Sequence, residues 1–352
     1  MCYSYYYLGE CMKKFVLLLV LFLFPINSFA KMDYSKSSIV MDIDSGRILY
    51  KNNINEKRLI ASTTKIMTAV VALENGNLND TYTAKDEILK MYGTSIYLEY
   101  NEKMKLKDLL YGLLLRSGND AAVVIANNVS KNEKEFVKLM NKKAKEIGMN
   151  STIFKNPHGL DEETKNYSTA RDMAILSSYA YKKFPLYRKI SKTKEYEVQT
   201  KNKSYLWYNR NKLLSTYKYA TGGKNGYTPS AGRTLVTTAK KDNLNLTTVS
   251  LYDPNNYETH ENLYEYIFNK YKSYKIIDKN NFYLDKSFFK DKLYLKESFS
   301  YPLTEEEKDN IKTVVNITKL KGYKNNSKVG EIGVYFNDKV IKRVGIYVKK
   351  NK

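Results

Sequence analysis

The stretch Ala61-Ser62-Thr63-Thr64-Lys65-Ile66-Met67-Thr68-Ala69 decides how the rest of the chain is read. A serine followed three residues later by a lysine, on entry to an apolar helix, puts a hydroxyl and an amine on one helix face within hydrogen-bond reach. Ile66 to Leu73 are almost all apolar or small, so the helix is expected to be buried on most sides rather than amphipathic. Burial lowers a lysine pKa, and a neutral amine can take a proton from a serine. The first turn of a helix also offers unpaired N–H groups and a positive dipole end, which suit an oxyanion. The bland reading of the same spacing is an N-cap serine beside a lysine that snorkels to solvent, so the motif needs partners further along.

The 352 residues suffice for one large domain and one small one, and 43% hydrophobic content is enough for a core. A formal net charge of +22 suggests an anionic partner: nucleic acid, an anionic membrane face or an anionic wall polymer. The compositional alternative is the lysine and asparagine usage of an AT-rich genome. Lys13-Lys14, the apolar run Phe15 to Phe24 and the small-residue site Ser28-Phe29-Ala30 read as a secretory leader over residues 1–30. Its apolar run is too short to span a membrane, no later stretch reaches that length, and Met12 is a more natural initiator than Met1. Cys2 and Cys11 both fall in this segment, so the mature chain is expected to carry neither thiol nor disulfide. Export makes nucleic acid the weakest partner and points to an extracellular or wall-associated location.

Ser38 to Tyr50 reads as a hairpin turning at Asp44-Ser45-Gly46. After the Ser62 helix, Lys105 to Leu115 is an apolar helix that breaks at Arg116-Ser117-Gly118-Asn119-Asp120, and a second apolar helix, Ala121 to Val129, follows at once. A polar turn between two buried helices is well placed to point side chains into a cleft. Thr169 or Ser168 caps another helix, Leu235 to Ala239 pairs with Leu246 to Leu251, and a helix from Glu258 to Tyr271 closes the domain. Beyond Tyr274 the texture changes to short alternating segments, including Thr313 to Ile317 and a hairpin turning at Asn337-Asp338.

Three elements then stand in order: Ser62-Thr63-Thr64-Lys65, Ser117-Gly118-Asn119 and Lys224-Asn225-Gly226. Each is weak alone, but together they are the set of an active-site serine enzyme acting on penicillin or on D-Ala-D-Ala peptides. Their surroundings, ASTTKIMTAVVALE, DLLYGLLLRSGNDAA, FKNPHGLD and GGKNGYTPSAGRTLV, resemble the serine-type D-alanyl-D-alanine carboxypeptidases, the low-molecular-mass penicillin-binding proteins. The resemblance implies an α+β fold: a β-lactamase/transpeptidase-like domain over 31–273, with an antiparallel sheet flanked by helices and a helical lobe. A small all-β domain over 274–352 would follow.

It also implies roles. Ser62 would attack the carbonyl between the last two D-alanines of a peptidoglycan stem pentapeptide, with Lys65 as general base and Ser117 as proton relay to the leaving amine. Asn119 would hold the substrate backbone, and Lys224 would attract its carboxylate and help to keep Lys65 neutral. The N–H groups of Ser62 and Tyr227 would form the oxyanion hole beside Gly226. No cofactor or metal is implied, and β-lactams are expected as covalent inhibitors. One departure stands out. The middle residue of the third motif is Asn225 where the family usually has threonine, and an amide donates to a carboxylate from a different place than a hydroxyl. Arg233 is a further candidate for carboxylate binding or a plain surface residue.

Two histidines, His158 and His260, are too few for a metal centre, and His158 in a Pro-His-Gly turn reads as structural. Glu162 and Asn166 lie in the region where a class A β-lactamase carries its deacylating glutamate, but the intervening residues match that loop poorly. The readings that stay open beside the carboxypeptidase are an endopeptidase cutting D-Ala cross-links and a catalytically weak wall-binding module.

Overall fold

The protein is described by a computed structural model in which residues 32–284, 291–318 and 322–350 are placed; the leader read over 1–30 lies outside the described residues. Strands β1 (Ser37–Asp42) and β2 (Ile48–Asn52) form the expected first hairpin. They join β3 (Ala220–Thr228), β4 (Gly232–Lys241) and β5 (Leu244–Leu251), from the far end of the domain, in an antiparallel sheet of order β2-β1-β5-β4-β3. β1 and β5 are buried along their whole length, as strands covered on both faces must be.

One face is covered by the helical lobe. Its helices are α1 (Lys65–Asn75), α2 (Leu106–Tyr111), α3 (Asn119–Val129), α4 (Glu133–Glu146), α5 (Ala170–Lys183) and α6 (Pro185–Lys192). Their apolar residues share one core with Ile39, Val236, Val249 and Leu251 of the sheet. Thr169 caps α5 as expected, its Oγ1 accepting from Asp172 N at 3.1 Å. On the opposite face lies α7 (Asn256–Lys270), whose buried His260 meets Thr237 Oγ1 at 2.7 Å and Ser250 Oγ at 3.1 Å. A twisted ribbon, Glu195–Gln199 paired with Ser204–Tyr208, buries Tyr205 and Trp207 on one side and exposes Leu206 and Tyr208 on the other.

The C-terminal part has its own core, built around Leu303, Val329, Val334, Val344 and Ile346. β6 (Lys272–Ile277) pairs with β8 (Phe299–Leu303), while β7 (Lys292–Leu295), β9 (Ile311–Ile317), β10 (Lys328–Phe336) and β11 (Lys339–Lys349) form a sheet of order β7-β11-β10-β9. The β10–β11 turn falls at Asn337 and Asp338, both at positive φ (49° and 60°), as a tight two-residue hairpin turn requires. Arg47, at the β1–β2 turn, reaches this second core. Its guanidinium donates to Pro302 O, pairs with Glu307 at 2.6 Å and lies 4.6–5.4 Å from the ring centres of Phe336, Tyr301 and Tyr271.

Candidate active site

Ser62 sits on a 3-10 turn, Ala61–Thr64, and α1 begins at Lys65 with no side-chain cap. The N-cap reading of the serine therefore does not describe it. The turn is anchored underneath: Thr63 Oγ1 donates to Ile60 O at 2.5 Å, Thr234 Oγ1 donates to the same carbonyl at 3.1 Å, and Thr68 Oγ1 donates to Pro157 O at 2.6 Å. Ala61, just before the serine, has φ +45°, a conformation that costs a non-glycine residue about 1–3 kcal/mol and persists only where the surroundings impose it. Part of that surrounding is Gly159 at φ +90°. A Cβ there would collide with Ala61 O and lie 3.0 Å from Ser62 N, so only glycine lets the Pro157-His158-Gly159 loop lie this close.

Lys65 has no exposed surface, and its Nζ is held from three sides. It donates to Ser62 Oγ at 3.1 Å, to Asn119 Oδ1 at 2.7 Å and to His158 O at 2.6 Å. Burial is the main influence on its pKa, lowered to about 7; the buried Asp120 carboxylate pulls the other way, and Arg210 adds to the lowering. Three good acceptors satisfy the amine, but no carboxylate touches it, so its charged form lacks the partner that burial demands.

The second motif is formed differently from the expectation. α2 runs into a π turn, Gly112–Arg116, which ends with Ser117 in the left-handed region at φ +64°. α3 then begins at Asn119, two residues earlier than the sequence suggested, so Asn119 and Asp120 form the first turn of a helix rather than a free loop. Ser117 is 4% exposed. Asn119 is oriented at both ends of its amide, since Oδ1 accepts from Lys65 and Nδ2 donates to Tyr92 O at 2.7 Å. Asp120 accepts from the backbone N–H groups of Ile96 and Leu98, both at 3.0 Å, which lashes the segment Tyr92 to Leu98 along this turn.

Lys224, Asn225 and Gly226 lie on β3, the outermost strand of the sheet, so one side of that backbone is not used by the sheet. A Cβ on Gly226 would stand 2.8 Å from Ser62 N and 2.5 Å from Thr234 Oγ1. Glycine at this position is what brings the strand against the N–H of Ser62. Lys224 is as buried as Lys65, and its pKa is pushed well below the ordinary value by burial, then by Lys65 and Arg210. Its Nζ donates to Asn225 O at 2.7 Å and lies 3.4 Å from Asn225 Oδ1, which turns the carbonyl end of that amide towards the lysine. Tyr227 is 65% exposed next along the strand, and Arg233, also exposed, pairs with it in register.

Sequence reasoning overlooked four contributors. The His158 carbonyl, the Tyr92 carbonyl and the Asp120 carboxylate act through backbone or second-neighbour contacts that no residue pattern announces. Arg210, whose N donates to Leu115 O at 3.1 Å at the end of the ribbon, is the cation that presses on both lysines. The His158 ring itself accepts from Leu160 N at 3.1 Å through Nδ1, and burial holds its pKa down at about 3. Asn166 is buried in a network with Asn156 and Thr64, whereas Glu162 is exposed and meets the Tyr92 hydroxyl. Among the described residues no cluster of His, Cys, Asp and Glu could hold a metal ion, and no helix is long and apolar enough to cross a membrane.

A sheet edge and a helical lobe closing on a serine in contact with a buried lysine define the penicillin-binding class of fold. Within that class, residues 28–255 match the D-alanyl-D-alanine carboxypeptidase family and residues 271–352 match the penicillin-binding protein 5 C-terminal domain. The chain belongs to the D-alanyl-D-alanine carboxypeptidase family. It is 38% identical over 240 residues to a D-alanyl-D-alanine carboxypeptidase of Bacillus subtilis, covering 64% of this chain and 61% of that protein. An Escherichia coli D-alanyl-D-alanine endopeptidase is 35% identical over 213 residues, 57% of this chain and 66% of that one. The crystal structure of penicillin-binding protein 5 from Haemophilus influenzae superposes with a TM-score of 0.74 at 25% identity, covering 92% of this chain and 98% of that one. The chain spans 54–61% of the length of the first curated relatives it matches.

Proposed function

We propose that this protein hydrolyses the terminal D-Ala-D-Ala bond of peptidoglycan stem pentapeptides through an acyl-enzyme on Ser62. The observation that carries the reading is the Lys65 Nζ–Ser62 Oγ contact at 3.1 Å, made by a lysine whose pKa is lowered to about 7. At neutral pH a sizeable fraction of that amine is free to take the serine proton. The attacking oxygen gains a bond to the carbonyl carbon, and the oxyanion is received by the N–H of Ser62 and that of Tyr227 on the outer strand. The Ser117 hydroxyl passes the proton to the departing D-alanine amine, and a water then cleaves the ester. Lys224 and Asn225 receive the substrate's terminal carboxylate, and Asn119 keeps Lys65 aimed while lying beside the peptide.

The same residues could cut a D-Ala cross-link, a reading supported by the similarity to the Escherichia coli endopeptidase. Export through the leader at 1–30, a catalytic part over 31–273 and a β domain over 274–352 acting as a spacer complete the proposal; anionic wall polymers are compatible with the +22 charge. The test is D-alanine release from diacetyl-Lys-D-Ala-D-Ala by the mature chain, with a fluorescent penicillin labelling it and Ser62→Ala as control. Release and labelling that vanish together in the variant are expected. Labelling without release, combined with cleavage of dimeric muropeptides, would replace the carboxypeptidase by the endopeptidase.

A further inference from the structure

Helix α4 carries lysines as a stripe. Lys134, Lys138, Lys142 and Lys145 follow one another at steps of three or four residues, which places them within about 80° around the axis and about 4.5–6 Å apart along it. Beside the stripe runs the segment Thr152 to Lys155, and between the two lies a groove of about 590 Å³. Lys138, Lys142, Lys145 and Lys155 line it, and no carboxylate does. The helix's acidic residues stand to the side. Glu135 meets Lys138 at 2.7 Å, Glu146 meets Lys143 at 2.6 Å and Lys142 only at 3.9 Å, and Glu133 lies about 100° round the axis from Lys134. The pairs on Lys138 and Lys142 are open to solvent and hold their lysines weakly. Lys145 and Lys155 are exposed and make no ion pair among the described residues. The groove is also built in advance. Asn141 clamps its two walls, with Oδ1 accepting from Phe154 N at 2.9 Å and Nδ2 donating to Phe154 O at 2.8 Å, while Thr152 Oγ1 donates to the buried Asp172 carboxylate at 2.7 Å.

We infer that this groove binds a linear polyphosphodiester, a chain of phosphates joined by short polyol links. The inference gives a place and a chemistry to part of the +22 charge, and it does not depend on the reaction at Ser62. A row of ammonium groups with no carboxylate between them concentrates a polyanion along its length. Lysines act as point charges and suit phosphates, whose oxygens accept from many directions, without the fixed fork that arginine would impose. The spacing agrees. Phosphates joined through glycerol are six bonds apart, about 7 Å when extended, since three backbone bonds span about 3.8 Å; four residues of helix rise about 6 Å. The partly exposed side chains of Val137 and Ile153 offer the C–H groups of the links an apolar floor. Nucleic acid is a poorer occupant, because the one ring in the lining, Phe154, is fully buried and no base can stack on it. A concave site between a helix and a strand-like segment also fits a single chain better than a flat bilayer.

The experiment follows binding of a fluorescently labelled poly(glycerol phosphate) to the mature chain by anisotropy across a salt series. It compares the parent with the pair Lys145→Gln and Lys155→Gln, and with the control pair Lys51→Gln and Lys57→Gln. The control lysines are exposed, lie on and just after β2, and remove the same charge. Losing a phosphate contact should weaken binding about five- to tenfold per lysine at about 50 mM salt and lower the slope of log K against log salt by about 0.7 each. The control pair should stay within about twofold with its slope unchanged. Equal losses in the two pairs would mean that binding follows net charge alone, and that result would overturn the groove. No binding by the parent at low salt would do the same, as would capture by phosphatidylglycerol vesicles without capture of the soluble polymer. Labelling of Ser62 by a fluorescent penicillin, unchanged in every variant, shows that the fold is intact. Failure of the parent to release D-alanine would count against the carboxypeptidase reading and leave the groove standing.

Discussion

The pH dependence of acylation tests the central geometry most directly. With Lys65 lowered to about 7, about half of the amines are neutral at pH 7, whereas at the ordinary 10.5 only about 0.03% would be. The environment therefore raises the population of neutral amine by about a thousandfold, or about 4 kcal/mol. The second-order rate of labelling by a fluorescent penicillin should rise about tenfold per pH unit below about pH 6 and level off between pH 7 and 8. Because Lys224 feels the same field, the midpoint belongs to the pair. Stability must move the same way. Between about pH 7 and 10.5 the unfolded chain holds a proton on Lys65 that the native state has lost, so unfolding binds protons and stability rises with pH through that window. The gap, at about 1.4 kcal/mol per pH unit, amounts to about 5 kcal/mol between its ends, with Lys224 adding in the same direction. Urea titrations at pH 7 and 9 should show the increase, and Lys65→Met should flatten the slope. A labelling rate that still climbs tenfold per unit through pH 9 would refute the reasoning, because it would mean an ordinary lysine.

Other perturbations follow from the same coordinates. Gly226→Ala places a methyl 2.8 Å from Ser62 N, so penicillin labelling should slow by about 10²–10³-fold, the cost of a spoiled oxyanion donor; a rate within threefold of the parent would show that the strand can retreat. Asn225→Thr restores a short hydroxyl donor and should raise kcat/KM for D-alanine release several-fold, and a fall would mean that the amide is the better carboxylate ligand here. Arg210→Gln removes the cation pressing on both lysines, and the midpoint of the labelling profile should move to higher pH; an unmoved midpoint would exclude its influence. Arg47→Ala leaves Glu307 without its cation and three rings without theirs, costing about 1–3 kcal/mol, read as a lower Tm with labelling at Ser62 unchanged.

Much of this was legible in the chain because the informative residues are local. The Ser62–Lys65 spacing, the breaks flanking Ser117 and Asn119, and the Asn337-Asp338 turn each announce themselves within a few positions. What the sequence hid is of two kinds. Elements set by side-chain competition shifted: the helix expected from Ala121 starts at Asn119 because a π turn and a left-handed Ser117 absorb the break. The second kind is backbone chemistry. The carbonyls of His158 and Tyr92 orient Lys65 and Asn119, yet any residue type could have supplied them, so no spacing betrays them. Arg210 was passed over for the same reason, since its influence depends on where the ribbon ends in space.

The three acceptors around Lys65 Nζ come from chain positions 62, 119 and 158. They are brought together only when the lobe is fully assembled, so chemical competence here reports on tertiary structure as a whole. An unfolded or partly folded chain keeps an ordinary, protonated lysine and an inert serine. Such a molecule should not react with a β-lactam. Lys65 meets its three acceptors only when segments far apart in the chain are packed together, so covalent labelling at Ser62 should count native molecules in a mixed population.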